Sequence, residues 1–267
     1  MSGPQEVTKS QHGDTQWLLA RQSVCPSTGG LTASVLPDIC HVGYKTAIKR
    51  WKIATGIDPE PLATGYLKQL LDYGRNTEKA ALGILRELGV MDRGRSEHHL
   101  VAMEETGFWV NDAYPKLGAT PDAVLRGYDD SGACVWTEPI EVKCPKDTTH
   151  KVPGSEEWTR YIIQLECQCR VLDAIAGHLF IYGNNEEDDS QYSYYWYHQR
   201  DDALWSVITH YHTRYIWYCI THQQPPRATE TEKFEIVRWM DDDRKAFNRR
   251  LFYPTKYSEV CCAPHDP

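Results

Sequence analysis

Between residues 119 and 145 the chain sets out two short strands joined by a turn, with carboxylates gathered where the strands meet. Ala119-Thr120-Pro121-Asp122 opens the first strand and Gly127-Tyr128-Asp129-Asp130-Ser131-Gly132 supplies a turn-rich connection. Ile140-Glu141-Val142-Lys143-Cys144-Pro145 closes the second. Side chains alternate along a strand, which puts Glu141 and Lys143 on one face and Val142 on the other. The backbone carbonyl of Val142 remains available as an oxygen ligand beside the carboxylates of Asp122 and Glu141, and hard oxygens of this kind suit magnesium. Lys143 then stands next to the ion, where an ammonium orients a water or steadies charge on a phosphate. The set points to phosphodiester hydrolysis. Pro-Asp alone is a common turn dipeptide and Glu-x-Lys alone says little. The weight lies in their combination on an apolar strand, because charges are seldom buried without partners.

The 267 residues suffice for one large domain or two small ones with a well-buried core. At 41% hydrophobic and 25% charged, the composition is that of an ordinary soluble globular protein. No apolar run approaches a bilayer span, and residues 1–15 are polar without a signal-peptide core, so no membrane role is expected. The nine cysteines occur singly or as Cys167-x-Cys169 and Cys261-Cys262, never as Cys-x-x-Cys. That argues against a zinc ribbon or a disulfide framework and for a reducing intracellular compartment. A net charge of −8 argues weakly against a nucleic-acid partner. Much of the acidity, however, is bunched at 186–189, 201–202 and 241–243, while 45–52 is locally basic.

Hydrophobic spacing predicts helices over 42–55 and 61–88, the first ending at Gly56 and the second interrupted at Gly74 and capped by Gly89. Strands are predicted over 99–109, 119–125, 135–143, 178–182 and 192–198, and further helices over 158–172 and 203–221. This is an α/β chain with a central mixed β-sheet flanked by helices. Residues 1–15 are expected to be disordered, 16–225 to form the catalytic domain, and 226–267 to be a C-terminal extension packed on or trailing from the core. Three further candidate ligands stand outside the hairpin: Glu78 on the helix before the sheet, Asp112 ahead of the Asp122 strand, and Gln164 on the helix after Glu141. A second ion about 4 Å from the first would draw on Glu78 and Asp112. The aromatic sets Tyr192/Tyr194/Trp196 and Trp205/Tyr211/Tyr215/Trp217/Tyr218 fit core packing better than base stacking, since both recur at regular strand or helix spacing.

Taken in order, these residues resemble the lambda-type exonucleases, the YqaJ-like viral recombinase family within the PD-(D/E)xK restriction-endonuclease-like superfamily. Trp17-Leu18-Leu19-Ala20-Arg21 is similar to the family's Trp-x-x-x-Arg, and Thr32-Ala33-Ser34 to its Thr-Ala-Ser. The stretch 44–61 with Thr55-Gly56-Ile57 resembles its next helix and turn, and Gly74-x-x-x-Glu78 its Gly-x-x-x-Glu. Asn111-Asp112, Thr120-Pro121-Asp122, Glu141-Val142-Lys143-Cys144-Pro145 and Tyr161-x-x-Gln164 follow with compatible spacing. The interval from Arg21 to Ser34 is longer than in the phage enzyme, with 25–30 inserted, and nothing beyond about 225 has a counterpart.

The resemblance implies a restriction-endonuclease-like core and a two-metal exonuclease using Mg2+, with Mn2+ as a substitute. Its expected activity is degradation of one strand of linear duplex DNA from the 5′ end to mononucleotides, for recombination or repair of viral or phage-type DNA. By the same resemblance Lys143, Glu141, Asp122, Gln164 and Glu78 are catalytic, and Asp122, Glu141, the Val142 carbonyl, Glu78 and Asp112 hold metal. Arg21 and Ser34 bind the 5′-terminal phosphate, for which a guanidinium fork and a hydroxyl are suited. Leu71 wedges into the opened duplex end. Implied partners are double-stranded DNA ends, further copies in a homotrimeric ring, and a single-strand-annealing protein. The implied location is the cytoplasm or, for a eukaryotic virus, the host nucleus. Two other readings stay open. One is a structure- or sequence-specific endonuclease on the same fold, because the catalytic motif does not encode end selection. The other is a non-catalytic end-binding scaffold, against which the complete set of expected residues argues.

Overall fold

A computed structural model of the chain describes residues 3–9, 15–24, 31–59, 64–87, 100–145, 155–184 and 191–226. From the N-terminus these form β1 (Gln5–Thr8), α1 (Thr15–Val24), β2 (Leu31–Thr32), a 3₁₀ turn (Ala33–Val35), α2 (Leu36–Ile39), α3 (Ala47–Ala54) and α4 (Gly65–Glu87). Then come β3 (Leu100–Glu104), β4 (Phe108–Val110), β5 (Leu117–Ala119), β6 (Ala123–Tyr128) and β7 (Cys134–Lys143). Helix α5 (Glu156–Leu172), β8 (Ala176–Asn184), β9 (Gln191–Gln199), α6 (Asp202–Arg214) and a π-helical turn (Tyr215–Thr221) complete the order.

Strand β7 is exposed at Cys134 and Val135 and buried without a break from Glu138 to Val142. A strand covered on both faces belongs in the middle of a sheet. It pairs antiparallel with β6 and parallel with β8, within a five-stranded mixed sheet ordered β3-β6-β7-β8-β9. Two parallel neighbours need a crossover, and α5 supplies it. Ser155 caps the start of α5 by accepting from the Trp158 N–H at 3.1 Å, and Asp173 ends the helix in the left-handed region at φ 52°. Apolar residues bury α5 on nearly every side, Trp158, Ile162, Ile163, Leu165, Cys169 and Val171 among them, as expected of an interior helix. Leu179, Ile181 and Trp196 share its core. On the opposite face Ile140, Val142, Phe180 and Tyr182 pack with Ala81 and Leu85 of α4. A second, four-stranded sheet runs β1-β4-β5-β2.

One buried carboxylate ties several elements together. Glu166, fully buried, accepts from Arg170 Nε at 2.7 Å and the Asp201 N–H at 3.0 Å, and lies 2.7 Å from His198 Nε2, joining β9 and α6 to α5. Trp196, Tyr211 and Tyr215 are buried, which bears out core packing for those three aromatics.

The structure revises several boundaries. Residues 5–8 are a strand, not part of a disordered leader. They pair with β4, and Glu6 accepts from Thr106 Oγ1 at 2.8 Å and the Gly107 N–H at 2.9 Å. The predicted strand 99–109 divides into β3 and β4 in different sheets. Gly107 sits at the division, and a Cβ there would lie 1.8 Å from the Thr8 carbonyl oxygen. The predicted strand 119–125 divides at Thr120-Pro121-Asp122, where proline lacks the N–H a ladder needs. Gly74 does not interrupt α4, and its missing Cβ faces the Cys144 carbonyl oxygen, which would be 3.9 Å away. Gly89 and residues 227–267 lie outside the described residues. Among the described residues no helix is long and apolar enough to cross a membrane.

Candidate active site

Asp122 stands immediately before β6, with its N–H bonded to the Ile140 carbonyl at 3.0 Å and its Oδ2 accepting the Val142 N–H at 2.6 Å. The ladder between β6 and β7 ends at Ala123 and Ile140, and the Asp122 N–H also reaches the Ile140 carbonyl, so the regular register stops at Asp122. In a strand a residue's N–H and C=O point to the same side. The Val142 N–H is held by the Asp122 carboxylate, so the Val142 carbonyl faces Asp122 as well. A carboxylate and a backbone oxygen thus stand side by side at the start of β6.

Glu141, one residue earlier on β7, is 1% exposed and faces α5. Its Oε1 is bonded to Lys143 Nζ and accepts from Gln164 Nε2 at 2.6 Å, and its Oε2 accepts from Gln168 Nε2. A carboxylate has about four acceptor positions, so three donors fix its plane and leave room for one more ligand. Lys143 lies 5.5 Å from the centre of the Tyr161 ring. Glu78 reaches the same cluster from α4 and is half-buried.

Charge in this cluster is unbalanced. Burial pushes the Asp122 carboxyl well above the usual carboxylate range, and the negative charges of Glu141 and Glu78 push it further. The Glu78 carboxyl is raised by its own burial and then by Glu141. For Lys143 burial works against the ammonium, but Glu141 and Asp122 outweigh it and hold the group above its ordinary value. The Cys144 thiol is pushed up to about 12, by burial and then by Glu78 and Asp122. Three carboxylates around one ammonium leave a negative excess that a divalent cation would neutralise. Among the described residues no three His, Cys, Asp or Glu side chains form an ion cage by themselves. Magnesium does not require one, since it commonly takes one or two carboxylates and completes its shell with water and phosphate. The donors present, two carboxylates and a carbonyl, fit that ion.

The sequence model of the YqaJ-like viral recombinase domain matches residues 16–177. The chain belongs to this family. No curated protein matches it. Among solved structures it is similar to an alkaline exonuclease from Laribacter hongkongensis, at 20% identity and a TM-score of 0.45, over 88% of this chain and 97% of that one. The same enzyme in complex with dAMP gives 19% identity and a TM-score of 0.46 over the same shares. A phage-related exonuclease from Haemophilus somnus gives 13% and 0.39, over 82% and 96%. The mixed sheet between α4 and α5 bears out the α/β reading of a central mixed sheet flanked by helices.

All the sequence-predicted site residues fall within the matched span of the YqaJ-like domain, but the structure gathers only some of them. Asp122, Glu141, Val142, Lys143, Gln164 and Glu78 converge. Asp112 is exposed on the turn after β4 and is not among the charges acting most strongly on Asp122. Arg21 lies on α1 with its guanidinium 5.2 Å from the Trp17 ring centre, and Trp17 Nε1 donates to Thr120 Oγ1 at 3.0 Å. That bond moors the Arg21 helix to the residue two before Asp122. Ser34 is exposed in the 3₁₀ turn, its hydroxyl 3.0 Å from Thr32 Oγ1. The inserted 25–30 lies outside the described residues. Leu71 is 46% exposed on α4 and shares a helical face with Gly74 and Glu78.

Sequence reasoning missed Gln168, the place of Tyr161 against Lys143, and the Trp17–Thr120 bond. For the first two a signal was present: Tyr161, Gln164 and Gln168 follow i, i+3, i+7 spacing on α5, one face of a helix.

Proposed function

We propose that this chain is a magnesium-dependent 5′→3′ exonuclease that degrades one strand of linear double-stranded DNA to mononucleotides, in recombination or repair of viral or phage-type DNA. The observation that carries the reading is the convergence of Asp122, the buried Glu141 and Lys143, within the family-matched span.

Asp122, Glu141 and the Val142 carbonyl would hold Mg2+ (or Mn2+), and Glu78 with Asp112 would serve a second ion, the Asp112 assignment resting on family resemblance alone. The metal would supply water activation and neutralise charge developing on the phosphate. The chain's own groups do the rest. Lys143, bonded to Glu141, positions the attacking water or helps to deprotonate it, and donates to phosphate oxygen. Gln164 and Gln168 keep the Glu141 carboxylate in one plane. Arg21 and Ser34 take the 5′-terminal phosphate, and Leu71 parts the last base pair. Double-stranded DNA ends are the substrate, and a homotrimeric ring, a single-strand-annealing partner and a cytoplasmic or host-nuclear site complete the reading.

One observation favours a second reading, a structure- or sequence-specific endonuclease: the Ser34 hydroxyl is engaged by Thr32. Digestion of linear and covalently closed duplex by the pure protein separates the two. The exonuclease reading expects mononucleotides from 5′-phosphoryl linear DNA in magnesium and little action on closed circles. Efficient cutting of closed circles would replace it with the endonuclease reading.

A further inference from the structure

Tyr44 lies in the loop before α3 and is 73% exposed, an unusual position for a large ring in a loop so close to a buried site. It is not loosely held. The Arg160 guanidinium sits 4.2 Å from the centre of the Tyr44 ring. Arg160 is itself pinned, with Nε donating to the Val42 carbonyl at 2.5 Å and Nη1 to Glu157 at 3.2 Å. The ring is thus backed on one face by a fixed cation and open to solvent elsewhere. Its side chain is an electrostatic neighbour of Tyr161, whose ring lies against Lys143. Tyr161 thus lies between the exposed ring and the Lys143 ammonium of the carboxylate cluster. Lys45 follows in sequence, and Arg160 adds a positive charge at the ring, in a chain with net charge −8. An aromatic face on a cationic support, beside a phosphate-handling ammonium, is the combination by which proteins hold single-stranded nucleic acid.

We infer that Tyr44 is a stacking platform for a base of the DNA strand flanking the scissile phosphate, backed by Arg160 and coupled to the catalytic lysine through Tyr161. The inference rests on the nuclease reading and adds to it a base-contacting residue outside the metal cluster. Stacking is tolerant of base identity because every base has a π face. The platform would grip the strand being consumed without selecting its sequence, as an enzyme that passes along DNA requires.

The test uses full-length wild-type, Tyr44→Ala, Tyr44→Phe and Tyr44→Trp chains. The substrate is a 5′-phosphorylated linear duplex with 2-aminopurine at the 5′-terminal nucleotides. Two quantities are read: nucleotide release in magnesium, as kcat and KM separately, and 2-aminopurine quenching on binding in calcium. Wild-type, Phe and Trp chains are expected to quench the probe and to keep kcat/KM within a few-fold. The Ala chain is expected to lose the quench and about tenfold or more in kcat/KM, with thermal stability unchanged because the ring is exposed. An Ala chain that quenches and digests like wild type overturns the inference and leaves the nuclease reading intact. Equal loss in Phe and Ala also overturns it, since the hydroxyl would then be the working part. A wild-type chain that releases no nucleotides overturns the nuclease reading and this inference with it.

Discussion

Gln168 donates its side-chain amide to Glu141 Oε2 from one helical turn beyond Gln164, which serves Oε1. Two amides from α5 thereby hold a carboxylate that is itself 1% exposed. Partners of this kind, which orient a metal ligand from behind, typically matter 10–100-fold. Gln168→Leu is expected to lower activity by about that factor and to raise the magnesium concentration needed for half-maximal rate. A magnesium titration of the variant checks it, and an unchanged half-maximal concentration would reduce Gln168 to packing.

Lys143→Ala and Glu141→Ala should each reduce nucleotide release by about 10²-fold or more. Lys143→Arg is not expected to restore it, because a planar fork cannot replace a point donor beside Glu141. Single-turnover digestion measures all three. Undiminished activity in either alanine variant would place the chemistry elsewhere.

The crowded carboxylates predict a pH dependence. Asp122 and Glu78 have raised carboxyl pKa values, so in the metal-free chain folding takes up protons between the ordinary carboxylate range and the raised values. Stability without metal should therefore fall as pH rises through that window. Asp122→Asn removes the charge while leaving an oxygen for the Val142 N–H. It is expected to raise the metal-free melting temperature by about 2–4 °C, the effect of ~1 kcal/mol in a chain of this size, while abolishing activity. Magnesium and protons compete for the same oxygens, so the acid limb of the rate profile should move to lower pH as magnesium is increased. Thermal scans and pH–rate profiles at two magnesium concentrations measure these effects.

If Arg21 and Ser34 hold a terminal phosphate, the wild type should prefer 5′-phosphoryl over 5′-hydroxyl duplex, and Arg21→Ala should erase that preference. A bond to a charged group is worth about 1.5–3 kcal/mol, so the expected loss on phosphorylated ends is roughly tenfold to a hundredfold. Trp17→Phe, which loses the bond to Thr120, should show a smaller version of the same change. Rates on the two substrates decide it, and an Arg21→Ala chain that still discriminates would remove α1 from end recognition.

Some of this was legible in the sequence for identifiable reasons. The apolar period of α5 and the burial of β7 from Glu138 to Val142 depend on nearby residues, and Asp122, Glu141 and Lys143 are compact enough to be read together. Gln168 was legible only as a residue on the Gln164 face of α5, since a glutamine on an apolar helix acquires its role when a sheet carboxylate lies beneath it. The break between β3 and β4 depends on Gly107 meeting Thr8, and the mooring of α1 on Trp17 meeting Thr120. Contacts between distant segments leave no local pattern. Asp112 shows the converse: a plausible neighbour in sequence that the fold leaves exposed on a turn.

The most direct test of the central claim is digestion of one linear duplex labelled separately at its 5′ and 3′ termini, followed over time in magnesium. A 5′→3′ exonuclease releases the 5′ label early as a mononucleotide, with the 3′ label retained in shortening strands. Early release of the 3′ label, or internal fragments carrying either label, would contradict that activity.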